Sequence, residues 1–309
     1  MIELRHETAD LLHLGFAGDV FNAAAYLARS APSSAVAVEF VTITGDDPYS
    51  VMMREAWRAH GVGDTLAPTL RGGRPGLYLI RVDGNGERAF YHYRAESAAR
   101  RLFGPDHPAS ADDAIAACDL VYLSAITLSI VTAPARQRLL RALAAARARG
   151  ARVVFDSNYR PSGWASAAQA AAAISEALAL TDIALPTLAD EQAVFGDADE
   201  MACVSRLRAA GVREIAVKLG PAGCLVAAPD GPPLRVPAVP GVTVVDTTAA
   251  GDAFNGGYLA ARLGGAGPAD AARAGNALAA EVVATPGALL PPVPRRADAT
   301  ERFPLWISD

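Results

Sequence analysis

The residues best suited to chemistry lie in one short segment, residues 242–258, which read VTVVDTTAAGDAFNGGY. Its apolar, β-branched beginning predicts a strand, and the small residues Ala249, Ala250 and Gly251 then predict a turn into an apolar helix. The first amides of a helix have no intrahelical acceptor, so together with the helix dipole they form a site for anions. Asp252 stands at the same helix start, where its carboxylate could take a proton from a hydroxyl. A base beside an anion site is the combination that phosphoryl transfer needs.

A simpler interpretation of this segment stays open. Asp252 could be no more than an N-cap, and the small residues before it could serve only to let the strand and the helix pack closely. A Walker-type phosphate loop is not the explanation, because the chain contains no glycine-rich loop that ends in Gly-Lys-Ser or Gly-Lys-Thr.

The composition predicts one large globular unit. The chain has 309 residues, of which 51% are hydrophobic and 20% charged, and no Ser/Gly-rich linker divides it. A formal net charge of -5 gives no general attraction to nucleic acid or to an anionic membrane. The N-terminus MIELRHETADLLHL has no basic region followed by a long apolar stretch, so we expect that nothing in it directs secretion. Cys118, Cys203 and Cys224 are far apart in sequence, so we expect buried free thiols and a cytoplasmic location.

Short apolar strands alternate with helical stretches along the chain. Residues 36–43, 120–124, 152–155, 183–185 and 214–218 are the predicted strands, which indicates a parallel sheet covered by helices. Ligands of such sheets lie beyond the carboxyl ends of the strands. The residues that follow these strands are therefore candidates for a site: Ser124, Asp156, Ser157, Asn158, Tyr159, Arg160, Pro186, Thr187, Lys218, Leu219, Gly220 and Asp246.

One segment interrupts this alternation. Residues 77–82 and 87–94 flank the sequence Asp-Gly-Asn-Gly, which predicts a β-hairpin inserted in the α/β frame. With a period of two, Phe90, His92 and Arg94 share one face. A hairpin with this aromatic and cationic face could close over a pocket, or it could be an edge hairpin whose arginine is merely solvated.

Taken together, the segments resemble the ribokinase-like (PfkB-type) sugar kinases over almost the whole chain. The resemblance rests on GFAGDVFNAAAYLAR (15–29), RPGLYLIRVDGNGERAFYHYRAESAA (74–99), VYLSAIT (121–127), VVFDSNYRPSGW (153–164), AVKLGPAGC (216–224) and DTTAAGDAF (246–254). It implies one ribokinase-like α/β domain over residues 1–309, with a mostly parallel central sheet flanked by helices on both faces. A small β-hairpin lid is expected from about 66–97 together with the N-terminal segment 3–16.

The resemblance also implies an activity. YHYRAESAA and DSNYRPSGW are similar to the sugar-acid branch, which transfers the γ-phosphoryl group of ATP to a hydroxyl of 2-keto-3-deoxygluconate. Asp252 is then the catalytic base, and Ala249, Ala250 and Gly251 form the anion hole. The implied substrate residues are Gly18, Asp19, Asn22, Tyr78, His92, Tyr93, Arg94, Arg160 and Asp252. Independently, a planar guanidinium suits a carboxylate, so Arg94 and Arg160 are expected to set the preference for an acid.

ATP and Mg²⁺ are the cofactors implied by the same resemblance. The expected nucleotide contacts are Asn158, Tyr159, Arg160, Thr187, Lys218, Gly220, Gly223, Ala249, Ala250, Gly251 and Asn276. Magnesium in proteins keeps several waters and few protein ligands. Asp190, which occupies the last position of the family's Asn-x-x-Glu element, is expected to act near the metal.

The sequence departs from the family pattern at four places. Ala249 and Ala17 replace glycines, and His92 stands where a tyrosine is common. The family usually opens with an apolar strand ahead of the Met-Ile-Glu-Leu segment, whereas this sequence begins at Met1. We therefore expect a truncated start or a sheet that lacks one strand, with either weakened stability or a substitute partner for the exposed neighbours.

Other functions remain open at this point. The chain could phosphorylate fructose, ribose or a nucleoside, or it could be a catalytically silent sensor of a sugar or nucleotide. A dinucleotide-dependent oxidoreductase is disfavoured, because no predicted strand leads into G-x-G-x-x-G. The expected partners are a small sugar acid and ATP, without nucleic acid or membrane, and a homodimer or higher homo-oligomer.

Overall fold

A computed structural model of the protein describes residues 1–8, 10–32, 36–82, 88–229, 231–293 and 304–308. Its centre is an eight-stranded sheet with the strand order β13-β12-β11-β10-β9-β8-β14-β3. The strands are β1 (Ile2–His6), β2 (Leu12–Phe16), β3 (Ala37–Val41), β4 (Thr44–Gly45), β5 (Thr69–Leu70), β6 (Leu77–Val82), β7 (Arg88–Tyr93), β8 (Leu120–Ser124), β9 (Arg152–Asp156), β10 (Ile183–Ala184), β11 (Glu214–Lys218), β12 (Cys224–Ala227), β13 (Leu234–Val236) and β14 (Pro304–Ser308).

The central sheet is mostly parallel, as expected. Strands β3, β14, β8, β9, β10 and β11 pair in parallel, and β12 and β13 extend one edge in antiparallel pairs. The helices are α1 (Asp19–Ser30), α2 (Pro48–Ala59), α3 (Ser110–Ala116), α4 (Ala125–Ile130), α5 (Ala133–Ala148), α6 (Ala167–Leu178), α7 (Leu188–Phe195), α8 (Glu200–Ala209), α9 (Ala250–Leu263) and α10 (Pro268–Val283). Among the described residues, no helix combines the length and the apolar character needed to cross a bilayer.

Two large apolar clusters fill the space between the sheet and the helices. Alternate residues of β8 belong to different clusters: Val121 and Leu123 lie in one, whereas Leu120 and Tyr122 lie in the other. Successive side chains of a strand point to opposite faces, so the clusters lie on the two faces of the sheet. Helices α5 and α6 cover the first, and α1, α9 and α10 cover the second.

A separate four-stranded sheet, which we call the small sheet, has the order β2-β1-β6-β7. The predicted hairpin forms its outer half, with Leu77 opposite Tyr93 and Val82 opposite Arg88. The turn predicted between its strands lies outside the described residues. The N-terminal strands β1 and β2 complete the small sheet, because β1 pairs in parallel with β6 and antiparallel with β2.

The expected gap in the central sheet has a substitute occupant. Strand β14 lies between β8 and β3 and pairs in parallel with both, with Ile307 opposite Tyr122 on one side and Phe40 on the other. The inward-facing backbone groups of β3 and β8 therefore have a partner, as unpaired strand edges require.

The strand predicted just before the small-residue turn is wrong. Residues 242–245 form no strand, and Val244 and Val245 are 61% and 49% exposed. The backbone amides of Val245 and Asp246 donate instead to the carbonyl of Val283 at the end of α10. A β-branched run becomes a strand only where a neighbouring strand offers a ladder, and here the chain meets a helix end.

Candidate active site

The carboxyl ends of β3, β9 and β11 and the beginning of α9 surround one cavity of about 970 Å³. This is the position that open α/β sheets provide for ligands. The predicted site residues that line the cavity are Gly18, Asp19, Asn22, Tyr78, His92, Arg94, Asn158, Arg160, Thr187, Asp190, Lys218, Ala249, Ala250, Gly251 and Asp252.

The carboxyl group of Asp252 is nearly buried at the beginning of α9. Asn22 Nδ2 donates a hydrogen bond to Asp252 Oδ2 at 2.9 Å, and the Asn22 amide is itself oriented by the backbone amide of Gly18, which donates to Asn22 Oδ1 at 3.2 Å. Burial, and then the neighbouring carboxylate of Asp19, raise the pKa of Asp252 to about 8. A carboxylate with such a pKa is well matched to general-base work near neutral pH.

The turn before α9 has the backbone that an anion site needs. Ala249, the N-cap, is left-handed with φ 61° and ψ 11°, so this position does require a positive φ although its residue is not glycine. The amides of Gly251 and Asp252 have no backbone acceptor in the described part of the chain, whereas Ala250 N donates to Thr247 O at 3.3 Å. The free amides therefore come mainly from Gly251 and Asp252. The sequence-based expectation was Ala249, Ala250 and Gly251, so the observed pair lies further along the chain.

A buried polar network, which we call the Lys218 network, adjoins this turn. Lys218 Nζ donates to Asp156 Oδ2 at 2.9 Å and to Asn255 Oδ1 at 3.2 Å. Asn255 Nδ2 donates in turn to Asp156 Oδ2 at 2.7 Å and to the hydroxyl of Tyr122 at 2.8 Å. Asn255 was not expected at the site, because it lies inside an apolar helix and no local pattern marks it.

Two guanidinium groups, those of Arg94 and Arg160, also line the cavity. Arg94 and Arg160 both lie close enough to His92 to lower its pKa, although burial of the ring is the larger cause. Arg160 Nη1 donates to the carbonyl of Tyr159 at 2.9 Å and lies 3.9 Å from Asp190 Oδ1. Asp252 and the two guanidinium groups thus line the same cavity, which is the arrangement expected of a site for a sugar acid.

Five of the predicted contacts do not line the cavity. Tyr93 lies on the other face of β7 and is 64% exposed, because alternate residues of a strand face opposite ways. The Asn276 amide donates to the carbonyls of Val236 and Pro237. Tyr159 is buried and offers its backbone amide to Asp190 at 3.2 Å. The two remaining residues, Gly220 and Gly223, have positive φ and shape the loop after β11 without lining the cavity.

The described residues contain two places with metal-ligand chemistry. Asp190 lines the cavity, and burial, followed by the nearby Asp156 carboxylate, raises its pKa. Glu191, Asp197 and Cys203 also lie close together, but Arg206 forms ion pairs with both carboxylates. That second cluster is therefore a neutralised structural group, and Asp190 remains the candidate for a metal near the cavity.

The family of the protein follows from this fold and from the sequence. The chain matches the pfkB family of carbohydrate kinases over residues 5–296 and belongs to that family. It is 42% identical over 293 residues to the 2-dehydro-3-deoxygluconokinase of Dickeya dadantii (strain 3937), an alignment that covers 94% of each chain. The enzyme of that name from Escherichia coli (strain K12) is 41% identical over the same length and the same shares.

The fold is shared with solved structures as well. A putative ribokinase II from Escherichia coli, solved in complex with ATP and Mg²⁺, superimposes with a TM-score of 0.80 at 19% identity. The superposition covers 94% of this chain and 92% of that one. The prediction of a ribokinase-like fold is confirmed.

Proposed function

We propose that the protein is a kinase for 2-keto-3-deoxygluconate, also named 2-dehydro-3-deoxygluconate. It transfers the γ-phosphoryl group of ATP to a hydroxyl of this sugar acid and forms 2-keto-3-deoxy-6-phosphogluconate. The observation on which the proposal depends is that Arg94 and Arg160 line the same cavity as Asp252 and the Ala249–Gly251 turn. Relatives 41% and 42% identical carry this activity in their names, which supports the choice of substrate.

The residues of the cavity fit the two halves of the reaction. Asp252 accepts the proton of the attacking hydroxyl, while Asn22 holds its carboxylate in place. The substrate oxygen then bonds to the γ-phosphorus, and the bond from that phosphorus to the bridging oxygen of ADP breaks. The free amides at the beginning of α9 donate to the oxygens of the moving group. Arg94 and Arg160 bind the carboxylate at the far end of the sugar.

ATP and magnesium fit the remaining part of the cavity. Asn158, Thr187 and Lys218 line it along the carboxyl edge of the sheet, where we place the nucleotide. Asp190 offers carboxylate oxygens, the ligand type that Mg²⁺ prefers. When bound, this ion neutralises and orients phosphate oxygens. A structure of the same fold was solved with ATP and Mg²⁺, which supports the choice of these two cofactors.

The decisive experiment measures ADP release from purified protein with ATP, Mg²⁺ and a panel of sugars. We expect kcat/KM for 2-keto-3-deoxygluconate to exceed that for fructose and ribose by at least about 100-fold, since a bound carboxylate contributes charge-assisted hydrogen bonds. Equal or faster turnover of fructose would instead make the protein a fructokinase-type member of the family. Sugar or nucleotide binding without any ADP release would identify a silent homologue.

The small sheet is proposed to act as the lid of the cavity and as the contact between two subunits. One face carries Tyr78 and His92, which line the cavity. The other face presents Tyr91 and Tyr93, which are 51% and 64% exposed, and such an aromatic surface suits a second copy of the chain. Analytical ultracentrifugation of the wild type and Tyr91→Glu tests this, with a dimer expected for the first and a monomer for the second.

The cellular location is also a proposal. Cys118, Cys203 and Cys224 are buried thiols that form no disulfide among the described residues, which is the state expected of cysteines in a reducing cytoplasm.

A further inference from the structure

Lys218 is the only lysine of the protein. The chain has 28 Lys and Arg residues in total, and all the others are arginines. The one position that has a lysine instead of an arginine lines the cavity beside α9. The two side chains differ chemically, because an ammonium is a compact point charge with three donors whereas a guanidinium is a planar fork.

The surroundings of this lysine fix its ammonium in one place. Lys218 is only 7% exposed, and Asp156 and Asn255, which accept two of its hydrogen bonds, are 2% and 0% exposed. A direct hydrogen bond from Asn255 to the same Asp156 oxygen closes the triangle. A buried lysine held by two buried acceptors cannot sample other positions freely, and burying such a charge is costly unless it is paired.

The remaining N–H group of the Lys218 ammonium, which has no acceptor among Asp156 and Asn255, is available to a ligand at the anion site. Two of its three N–H groups have acceptors, and Nζ lies 3.5 Å from the position that a Cβ atom would take at Gly251. Gly251 supplies one of the free amides at the start of α9 and lines the cavity together with Lys218. A side chain at residue 251 would therefore contact the ammonium, and glycine leaves that space open to a ligand.

We propose that Lys218 is a catalytic residue whose ammonium binds the transferred phosphoryl group, and that Asp156 and Asn255 are the positioning residues that hold it there. This inference rests on the proposed kinase function and deepens it. The ammonium and the amide of Gly251 would donate to oxygens of the moving group as its negative charge shifts toward ADP. No proton leaves Lys218 in this step, because the proton of the substrate hydroxyl goes to Asp252.

A lysine at this position also acts on the base. Asp19 and Asp156 raise the pKa of the Asp252 carboxyl, whereas the hydrogen bond from Asn22 and the charge of Lys218, the one cation among these groups, lower it. The hydroxyls of Tyr26, Tyr78 and Tyr122 also interact with the Asp252 charge, but their pKa values are raised and they stay neutral. Loss of the ammonium would leave the Asp156 and Asp19 carboxylates unopposed. The base should then need a higher pH to ionise, which a purely structural role for the lysine would not produce.

The test compares substitutions at Lys218 with a matched pair at Arg262 on α9. Lys218→Arg keeps the charge and changes its shape, and Lys218→Met/Asp156→Asn removes both charges of the pair so that no buried carboxylate is left alone. Arg262, near the end of α9, forms a comparable ion pair with the buried Glu214 at 2.8 Å, away from the cavity. Arg262→Lys and Arg262→Met/Glu214→Gln are the controls.

The measured quantities are kcat, the KM values for ATP and the sugar acid, the pH dependence of kcat/KM, and Tm. We expect both Lys218 variants to lose about 10²- to 10³-fold in kcat with the sugar-acid KM within a few-fold of the wild type. A third variant, Lys218→Met alone, leaves the Asp19 and Asp156 carboxylates in place and should shift the rising limb of its pH profile to higher pH. The double variant should not show this shift, because the lost Asp156 carboxylate raises the pKa of Asp252 more than Lys218 lowers it. The Arg262 variants should keep kcat and the pH profile even where their Tm falls.

Three outcomes would overturn the inference. These are a wild-type kcat in Lys218→Arg and in the neutral double variant, a loss of kcat that only matches the loss of Tm in the Arg262 controls, or an unmoved pH profile in Lys218→Met. Failure of the proposed function looks different, because wild-type protein would then release no ADP with 2-keto-3-deoxygluconate. In that case the same variants are compared on whichever sugar of the panel the wild type phosphorylates.

Discussion

The hydroxyl of Tyr78 donates a hydrogen bond to the carboxylate of Glu3. The two residues lie opposite each other on β6 and β1, and both are buried, with 6% exposure each. Burial, and then the charge of Glu3, raise the pKa of Tyr78, so the hydroxyl keeps its proton. Since a tyrosine hydroxyl has one hydrogen to donate, Tyr78 can only accept from a ligand in the cavity.

The first prediction follows from this pair. A Tyr78 oxygen that only accepts should take a hydrogen bond from a sugar hydroxyl and repel the carboxylate. We expect Tyr78→Phe to raise the KM for the sugar acid by about 3- to 10-fold, the value of one hydrogen bond, without changing the KM for ATP. Glu3→Gln removes the charge but leaves an oxygen that accepts from the Tyr78 hydroxyl, so it should raise this KM by less, and the double variant should be no worse than Tyr78→Phe.

Steady-state kinetics and Tm of the three variants check this prediction. Glu7→Gln is the control, since Glu7 is an exposed acid that follows the same strand. Additive losses in the double variant would mean that Glu3 acts independently of Tyr78.

The second prediction concerns the ionisation of Asp252. Its pKa rises from 3.8 in the unfolded chain to about 8 in the fold, so ionisation opposes folding. The contribution of the neutral carboxyl to the free energy of unfolding is fully present below about pH 4, and it is lost as the pH rises through about 8. Asp252→Asn, which cannot ionise but can still accept from Asn22, should therefore have a higher Tm than the wild type at pH 8 and an equal Tm near pH 4.

The same variant should be inactive. Without a proton acceptor, turnover should fall by at least about 10²-fold, while the affinity for ATP stays within a few-fold. In the wild type, kcat/KM should rise with pH and level off above about 8, where the carboxylate is ionised. Calorimetry and ATP titration measure the two effects separately, and a Tm difference that does not depend on pH would refute the assigned ionisation.

The third prediction concerns recognition of the acid. Arg160→Ala should raise the KM for 2-keto-3-deoxygluconate by about 10- to 100-fold, because it removes charge-assisted hydrogen bonds to a carboxylate. The KM for a neutral sugar such as fructose should not change. Arg152, at the other end of β9, is exposed and lies away from the cavity, so Arg152→Ala is the matched control. An unchanged KM for the acid would remove Arg160 from the site.

Much of this site is readable from the sequence, and what is not has identifiable reasons. The strands that end in Ser124 and Lys218 were predicted with their observed bounds, because their apolar runs are short and bounded. Local patterns fail where a side chain's partners are distant in sequence. Asp156 and Lys218 were expected at the same edge of the sheet, but nothing in the apolar helix around Asn255 indicates that it joins them in one network.

Two further differences from expectation come from applying a family role or a residue preference without geometry. Tyr93 was expected at the same site as His92, but its side chain lies on the other face of β7 and does not line the cavity. The valines of residues 242–245 favour a strand by type, but their backbone meets the end of α10. Propensity states which residues fit a sheet, and only the tertiary fold decides whether a strand lies alongside.

The fourth prediction tests the strand that completes the central sheet. Ile307 of β14 pairs with β3 on one side and β8 on the other. Ile307→Pro removes a backbone donor between two strands and should lower the free energy of unfolding by at least about 3 kcal/mol. Ile307→Val keeps the backbone and is the control. Urea unfolding measures both, and equal stability of the two variants would show that β14 does not occupy this position in solution.

The fifth prediction separates two neighbouring alanines at the beginning of α9. Ala249 has a φ of 61°, a conformation that costs an L-residue with a Cβ atom about 1 kcal/mol or more and costs glycine nothing. Ala250 is the first helical residue, where glycine is less favourable than alanine by up to about 1 kcal/mol. Ala249→Gly should therefore be more stable than Ala250→Gly by at least about 1 kcal/mol in urea unfolding, although both lose one methyl group at adjacent positions. Ala249→Gly should also keep its turnover, because the amides of Gly251 and Asp252 are unchanged. If Ala250→Gly proved equally or more stable, the turn would not be left-handed at Ala249, and the anion site would need a different backbone.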